Sequence, residues 1–259
     1  MSRWTLYLTT LAALLAGTQL APIKSGVFRW RETSVQQRDG RAERAIVSGS
    51  TRDLVSLDVR AVTLAPKRAT DTAVVIGENA AEVLLIVKDG QLGVTIDGKR
   101  KMVSSGSVAL ALPGDQIVVV NEGAKPATYY LFTYVSKAPP DVARGKIAGG
   151  SFLVDWNDVE VKKSATGMRR DIFDRPTSMF RRFEIHVSTL NEGLTNHATH
   201  THRAEEFVVM REGRNEMIID TPGHALAVGD VVFLASNVPH SLKNTGAGPT
   251  EYFAIQGQQ

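Results

Sequence analysis

Short apolar runs alternate with turn residues along most of the chain, and no stretch after the N-terminal region holds a helical period for long. Residues 83–87 and 207–210 are apolar runs that end at Asp89-Gly90 and Glu212-Gly213, a combination that predicts hairpins. Residues 94–96 and 217–219 are expected to return from those turns. Residues 108–112 and 231–234 begin beside glycine and read as further strands. Many short strands at regular spacing predict an all-β jelly-roll architecture.

The pattern occurs twice. At an offset of 126, Trp30 meets Trp156, Arg44 meets Arg170 and Ile46 meets Ile172. Leu57, Val59, Thr63 and Leu64 meet Phe183, Ile185, Thr189 and Leu190 at the same offset. Three extra residues in the first half change the offset to 123. Gly90, Gly106, Asn121, Pro126 and Tyr129 then meet Gly213, Gly229, Asn244, Pro249 and Tyr252. A register held over so many glycine, tryptophan and apolar positions implies two copies of one fold. The stretch from Ala138-Pro139-Pro140 to Gly149-Gly150, rich in proline and glycine, is the expected connector. The chain then divides into a first copy at 22–137, a linker at 138–150 and a second copy at 151–259.

Residues 1–21 follow a different logic. Arg3 precedes an apolar run from about Trp4 to Leu15, and small residues follow. This is the pattern of a secretory signal peptide, and the run is too short and too broken by threonine for a comfortable membrane span. A periplasmic or secreted protein is expected, with no membrane association after processing.

Four of the six histidines fall at positions 197, 200, 202 and 240. His200 and His202 alternate, so a β-strand sends both imidazoles to one face. Glu206 follows after three residues and Gly213 after six more. Gly229, Pro239, His240 and Asn244 form a second block. Two histidines, a carboxylate and a remote third histidine suit a borderline divalent metal with coordination positions left open. The competing reading is a solvated histidine cluster beside an ordinary surface carboxylate.

The two blocks resemble the cupin superfamily, whose motifs are His-x-His-x(3,4)-Glu-x(6)-Gly and a later Pro-x-Gly-x(2)-His-x(3)-Asn. The resemblance implies two tandem cupin barrels, each a double-stranded β-helix or jelly roll, with the metal motif in the C-terminal copy. It also implies that the ligands are His200, His202, Glu206 and His240. The chain departs from the pattern in three places. The first motif opens with a glycine that five residues separate from its first histidine, whereas six separate Gly193 from His200, and Ala235 and Asn237 stand where the second motif has proline and glycine. His197 fits no ligand slot and reads as a loop or pocket-mouth residue.

Carried back through the repeat, His200, His202, Glu206 and His240 correspond to Gly77, Asn79, Val83 and Ile117, none of them a usual ligand. One divalent transition metal ion per chain is therefore expected, with iron or manganese the leading choices and nickel or zinc the alternatives. The first copy is expected to complete a sheet or cover an edge, with a metal-free apolar pocket as the other reading.

Composition adds exclusions. A net charge of +3, with basic residues dispersed rather than striped, implies neither nucleic acid nor a membrane surface as partner. The absence of cysteine excludes disulfides and thiolate metal sites. Phe183, Ile185 and Val187 match Leu57, Val59 and Ala61 and should face the core, leaving Glu184 and His186 outward or at an interface. Arg169, Arg170, Arg181, Arg182 and Arg203 are candidate carboxylate binders, with Arg203 preferred for its place between ligands. Trp30 and Trp156 read as packing residues.

Fold alone does not select an activity. Two functions remain: a metal enzyme acting on a small organic acid or oxygenated metabolite, by dioxygenase or by Lewis-acid hydrolase or isomerase chemistry, and a non-catalytic small-molecule binding or sensing protein. Three neutral imidazoles and one carboxylate leave a divalent site at charge +1, which favours a small anionic ligand. A homo-oligomer is left open. N-terminal sequencing of the native protein is expected to read from a residue between about 18 and 24; an intact Met1 or Ser2 would remove the signal segment.

Overall fold

Strand Leu54–Leu64 and its counterpart Arg182–Leu190 alternate in burial, with Leu57, Val59 and Ala61 on one and Phe183, Ile185 and Val187 on the other fully enclosed. The period of two places those residues on a single face of each strand. Both faces meet in one apolar cluster that also takes Leu84, Phe132, Phe207 and Phe253. The main core thus forms between the copies rather than inside either. The structure is a computed structural model describing residues 20–38, 40–66, 74–76, 80–219 and 221–259; most of the expected signal segment lies outside that range.

Each copy is built on a seven-stranded antiparallel sheet, one strand of which comes from the other copy, and a smaller sheet. In the first copy the large sheet includes Glu82–Asp89, Val108–Ala111, Ala127–Ser136, Leu54–Leu64 and Arg41–Gly49, and the small sheet has four strands. In the second copy the corresponding strands are Glu205–Glu212, Val231–Leu234, Thr250–Gln258, Arg182–Leu190 and Gly167–Arg175, with a three-stranded small sheet. Among the described residues, hydrogen-bonded pairing closes neither copy into a barrel; each is a pair of sheets around its own apolar interior. The connector holds one short helix, Val142–Ile147, with Asp141 accepting from the Arg144 amide at its N-terminus. Among the described residues no helix is long and apolar enough to cross a membrane.

The expected hairpins at Gly90 and Gly213 are corrected. Glu82–Asp89 pairs with Ala127–Ser136 and Val108–Ala111, whereas Gln91–Ile96 pairs with Ile117–Val120 and Lys99–Ser104. The turn at Gly90 carries the chain from the large sheet to the small one, and Gly213 does the same in the second copy. Strands on both sides of such a corner are buried, so a turn signal between apolar runs looks the same for a hairpin and for a change of sheet.

The copies exchange their opening strands. Gly26–Phe28 pairs with Val231–Leu234 at the edge of the second copy's sheet, and Phe152–Val154 pairs with Val108–Ala111 at the edge of the first. Trp30 and Trp156 follow these strands. Trp30 lies against Gly229 and Trp156 against Gly106, where a Cβ would collide with the indole, and both glycines have φ near +90°. Close approach and left-handed backbone each require glycine there. Arg44 and Arg170 stack over the two indoles at 4.3 Å. The tryptophans are packing residues, as their matched positions implied.

A pair of buried carboxylates completes the exchange. Glu82 accepts from the Tyr134 hydroxyl at 2.7 Å and, across to the other copy, from the Ser178 amide at 3.0 Å. Glu205, its repeat partner, accepts from the Thr51 hydroxyl at 2.6 Å and the Arg52 amide at 2.9 Å. Burial pushes the Glu82 carboxyl above its usual range even though these donors oppose it. Glu82→Ala should strand the Ser178 N–H and lower stability by about 2–4 kcal/mol. Urea denaturation should show this as a lower midpoint, with metal content per folded chain unchanged.

Candidate metal centre

His200 and His240 come together because their backbones form an isolated antiparallel bridge, His200 N–H to His240 O at 3.1 Å and His240 N–H to His200 O at 3.0 Å. His202 follows two residues on. Glu206 lies at the start of Glu205–Glu212, one position after the carboxylate that clamps the first copy. The turn before His240 forms with Asn237 at φ +62°, and the Asn237 amide donates to His202 O at 2.8 Å. Asparagine is among the few non-glycine residues that enter the left-handed region readily, so it serves where the motif has glycine. Asn244 is structural: its side chain holds Leu190 O and Gly248 O, as Asn121 holds Leu64 O and Lys125 O in the first copy.

Coordinating atoms of His200, His202 and His240 all lie within 4.8 Å of one another. Glu206 Oε2 is 2.9 Å from His202 Nε2 and 3.6 Å from His240 Nε2. Gln256 donates to the same oxygen at 3.2 Å. His202 Nδ1 faces Ala204 O at 2.9 Å, and His240 Nδ1 faces Val238 O at 2.8 Å. A carbonyl accepts, so each Nδ1 carries a proton, which leaves each Nε2 as the inward atom; in the absence of an ion His202 Nε2 also carries one and donates it to Glu206. Two Nε2 atoms converge on one carboxylate oxygen, a set of donors that a cation can take in place of that proton. This donor set fits one divalent metal ion.

Ionisation reflects the same crowding. Burial raises the Glu206 pKa, but hydrogen bonds and charge from His202 and His240 outweigh it and hold it at about 2. The hydrogen bond to Glu206 raises the pKa of His202, whereas burial and the neighbouring imidazoles lower that of His200.

Beside these residues is an open cavity of about 380 Å³, lined among others by Arg169, His186, Ser188, His197, His200, Glu206, Tyr252 and Gln256. His197 stands at its exposed side, its ring 3.9 Å from that of His200. The expected orientation of Glu184 and His186 is corrected, because they face the interior of the second copy. Cross-strand register explains this: Glu184 pairs with Gln256, which pairs with Glu206, while His186 pairs with Ala254. Since Phe183, Ile185 and Val187 pack against the other copy, the alternate residues must face their own small sheet. Among the candidate arginines, Arg169 lines the cavity. Arg203 turns to Asp53 at 3.6 Å, Arg170 stacks on Trp156, and Arg182 pairs with Asp174 and Glu184.

The first copy has no corresponding set among its described residues. Val83 and Ile117 are enclosed in its apolar interior, while Gly77 and Asn79 lie outside the described residues. Backbone register pairs Ile76 with Ile117 where His200 pairs with His240, so the position matching His200 is one residue earlier than the repeat offset implies. One equivalent of divalent metal per chain is the expected elemental analysis. His200→Ala combined with His240→Ala should leave folded protein that retains none after dialysis.

Residues 186–256 match the cupin domain family. No curated protein matches the sequence. Several solved structures share the fold. AerE from Microcystis aeruginosa aligns with TM-score 0.65 and 12% identity over 88% of this chain and 97% of its own. YlbA from E. coli aligns with TM-score 0.66 and 16% identity over 97% and 98%. An oxalate decarboxylase from Lactobacillus farciminis, in complex with formate, aligns with TM-score 0.68 and 11% identity over 91% and 87%. Residues 186–256 therefore carry the cupin match, the chain shares the fold of these solved structures, and a histidine cluster consistent with a mononuclear metal site lies in the C-terminal copy.

Proposed function

We propose that this protein is a metal-dependent enzyme acting on a small organic acid, with His200, His202, Glu206 and His240 as the ligands of one ion. The observation that carries the reading is the inward convergence of His202 Nε2, His240 Nε2 and Glu206 Oε2, with both Nδ1 atoms fixed on backbone carbonyls. A divalent ion held there, with iron or manganese preferred, supplies Lewis acidity and open positions for a carboxylate next to a hydroxyl or carbonyl.

The chain's own residues shape the rest. Gln256 steadies the Glu206 carboxylate, and Glu206 limits the positive charge an anion meets. Arg169 places a guanidinium on the cavity wall, where an anionic substrate gains a second attraction. Ser188 and Tyr252 offer hydroxyls. The fold shared with an oxalate decarboxylase in complex with formate supports a small-acid substrate. Each copy reads as a jelly-roll barrel, with the copies at 22–137 and 151–259. Export to the periplasm or medium is supported by Arg3 and the apolar run behind it.

Titration of metal-loaded protein with a panel of 2-oxo and 2-hydroxy acids tests the reading directly. Binding should disappear on chelation. Glu206→Gln should weaken metal retention and acid affinity together, each by about tenfold or more. Turnover that requires dissolved oxygen would mark a dioxygenase, and turnover without it hydrolase or isomerase chemistry. Acid binding that is indifferent to metal removal would overturn the proposal.

A further inference from the structure

The second copy differs from the first at more than its metal ligands. Ser188 stands where the first copy has buried Val62, and Ala254 stands where it has buried Leu131. These side chains share rows of the large sheet with His186 and Tyr252, since Ser188 pairs with Tyr252 and His186 with Ala254. In the first copy the same rows hold Arg60 with Leu131 and Val62 with Tyr129. The larger Leu131 and Val62 help to fill that interior, whereas the smaller side chains leave the cavity over His186 open.

His186 lines that cavity and is largely enclosed. Its Nδ1 lies 3.1 Å from Glu184 Oε1. Glu184 also accepts from Arg169 at 2.9 Å and from Arg182 at 2.7 Å. A carboxylate fixed by two guanidinium groups can only accept, so the ring proton of neutral His186 is on Nδ1 and the lone pair on Nε2. Burial and the nearby Arg169 charge both disfavour a second proton on the ring. Among the described residues no protein group hydrogen-bonds Nε2.

We infer that His186 Nε2 is a hydrogen-bond acceptor for a substrate hydroxyl, so that the site selects 2-hydroxy acids over the corresponding 2-oxo acids. The inference rests on the small-acid reading above. A hydroxyl donates to the Nε2 lone pair, whereas a keto oxygen in its place sets lone pair against lone pair. Glu184, Arg169 and Arg182 are positioning residues that fix the tautomer, and Ser188 and Ala254 supply the room.

The test is competitive binding of L-lactate and pyruvate to the zinc-loaded full chain, by calorimetry, for the native protein and for His186→Phe. Replacement should lower the lactate-to-pyruvate affinity ratio about fivefold to tenfold, the worth of one such hydrogen bond, while zinc content stays the same. An unchanged ratio with both acids still binding would overturn the inference and leave the small-acid reading standing. Failure of both acids to bind native protein would remove both. Should His186→Phe fail to fold, ¹⁵N NMR of the native zinc-loaded protein reads the tautomer directly. A proton on Nδ1 is expected, and a proton on Nε2 would overturn the inference.

Discussion

The structure depends on an exchange between its two copies. The six strands that each copy gives its own large sheet leave an edge whose backbone groups need partners, and the opening strand of the other copy supplies them as the seventh. The buried carboxylates of Glu82 and Glu205 then accept donors from the opposite copy: a backbone amide in both cases, and the Thr51 hydroxyl as well for Glu205. Unpaired amides and charges are costly away from water, so each carboxylate and its amide partners are held by mutual need. Neither large sheet is complete without the other copy.

That exchange dictates which side chains are free to do chemistry. One face of each large sheet is taken up by the aromatic and aliphatic cluster between the copies. Residues of the other parity can face only the interior of their own copy. In the first copy that interior is filled by Val62, Val83, Ile117, Leu131 and their neighbours. In the second it is apolar at Val208, Met210 and Met217, then opens into the polar cavity beside His200 and Glu206. Duplication gave one copy that packs and one that keeps an open, charged interior.

The candidate metal centre uses long-range geometry in the same way. His200 and His202 are local to one another, but His240 reaches them through the bridge to His200, and two backbone carbonyls orient the rings of His202 and His240. The carboxylate is fixed by Gln256 from the neighbouring strand. Such outer contacts set ring tautomer and ligand basicity as firmly as the ligands themselves do.

The sequence by itself determined the duplication, the all-β class, the histidine and glutamate set, and the face formed by Phe183, Ile185 and Val187. These are repeats and periodicities, and a chain of fixed geometry expresses them locally. The tertiary structure alone decided that the turns at Gly90 and Gly213 change sheet, that the opening strands cross over, and that Glu82 and Glu205 clamp opposite copies. The glutamates were visible as a matched pair at an offset of 123, but nothing in their own neighbourhood named a partner. Glu184 and His186 show the limit most directly. Alternation reveals which residues share a face of a strand. Whether that face meets solvent or a second sheet depends on pairings far away in the chain, which no local pattern encodes.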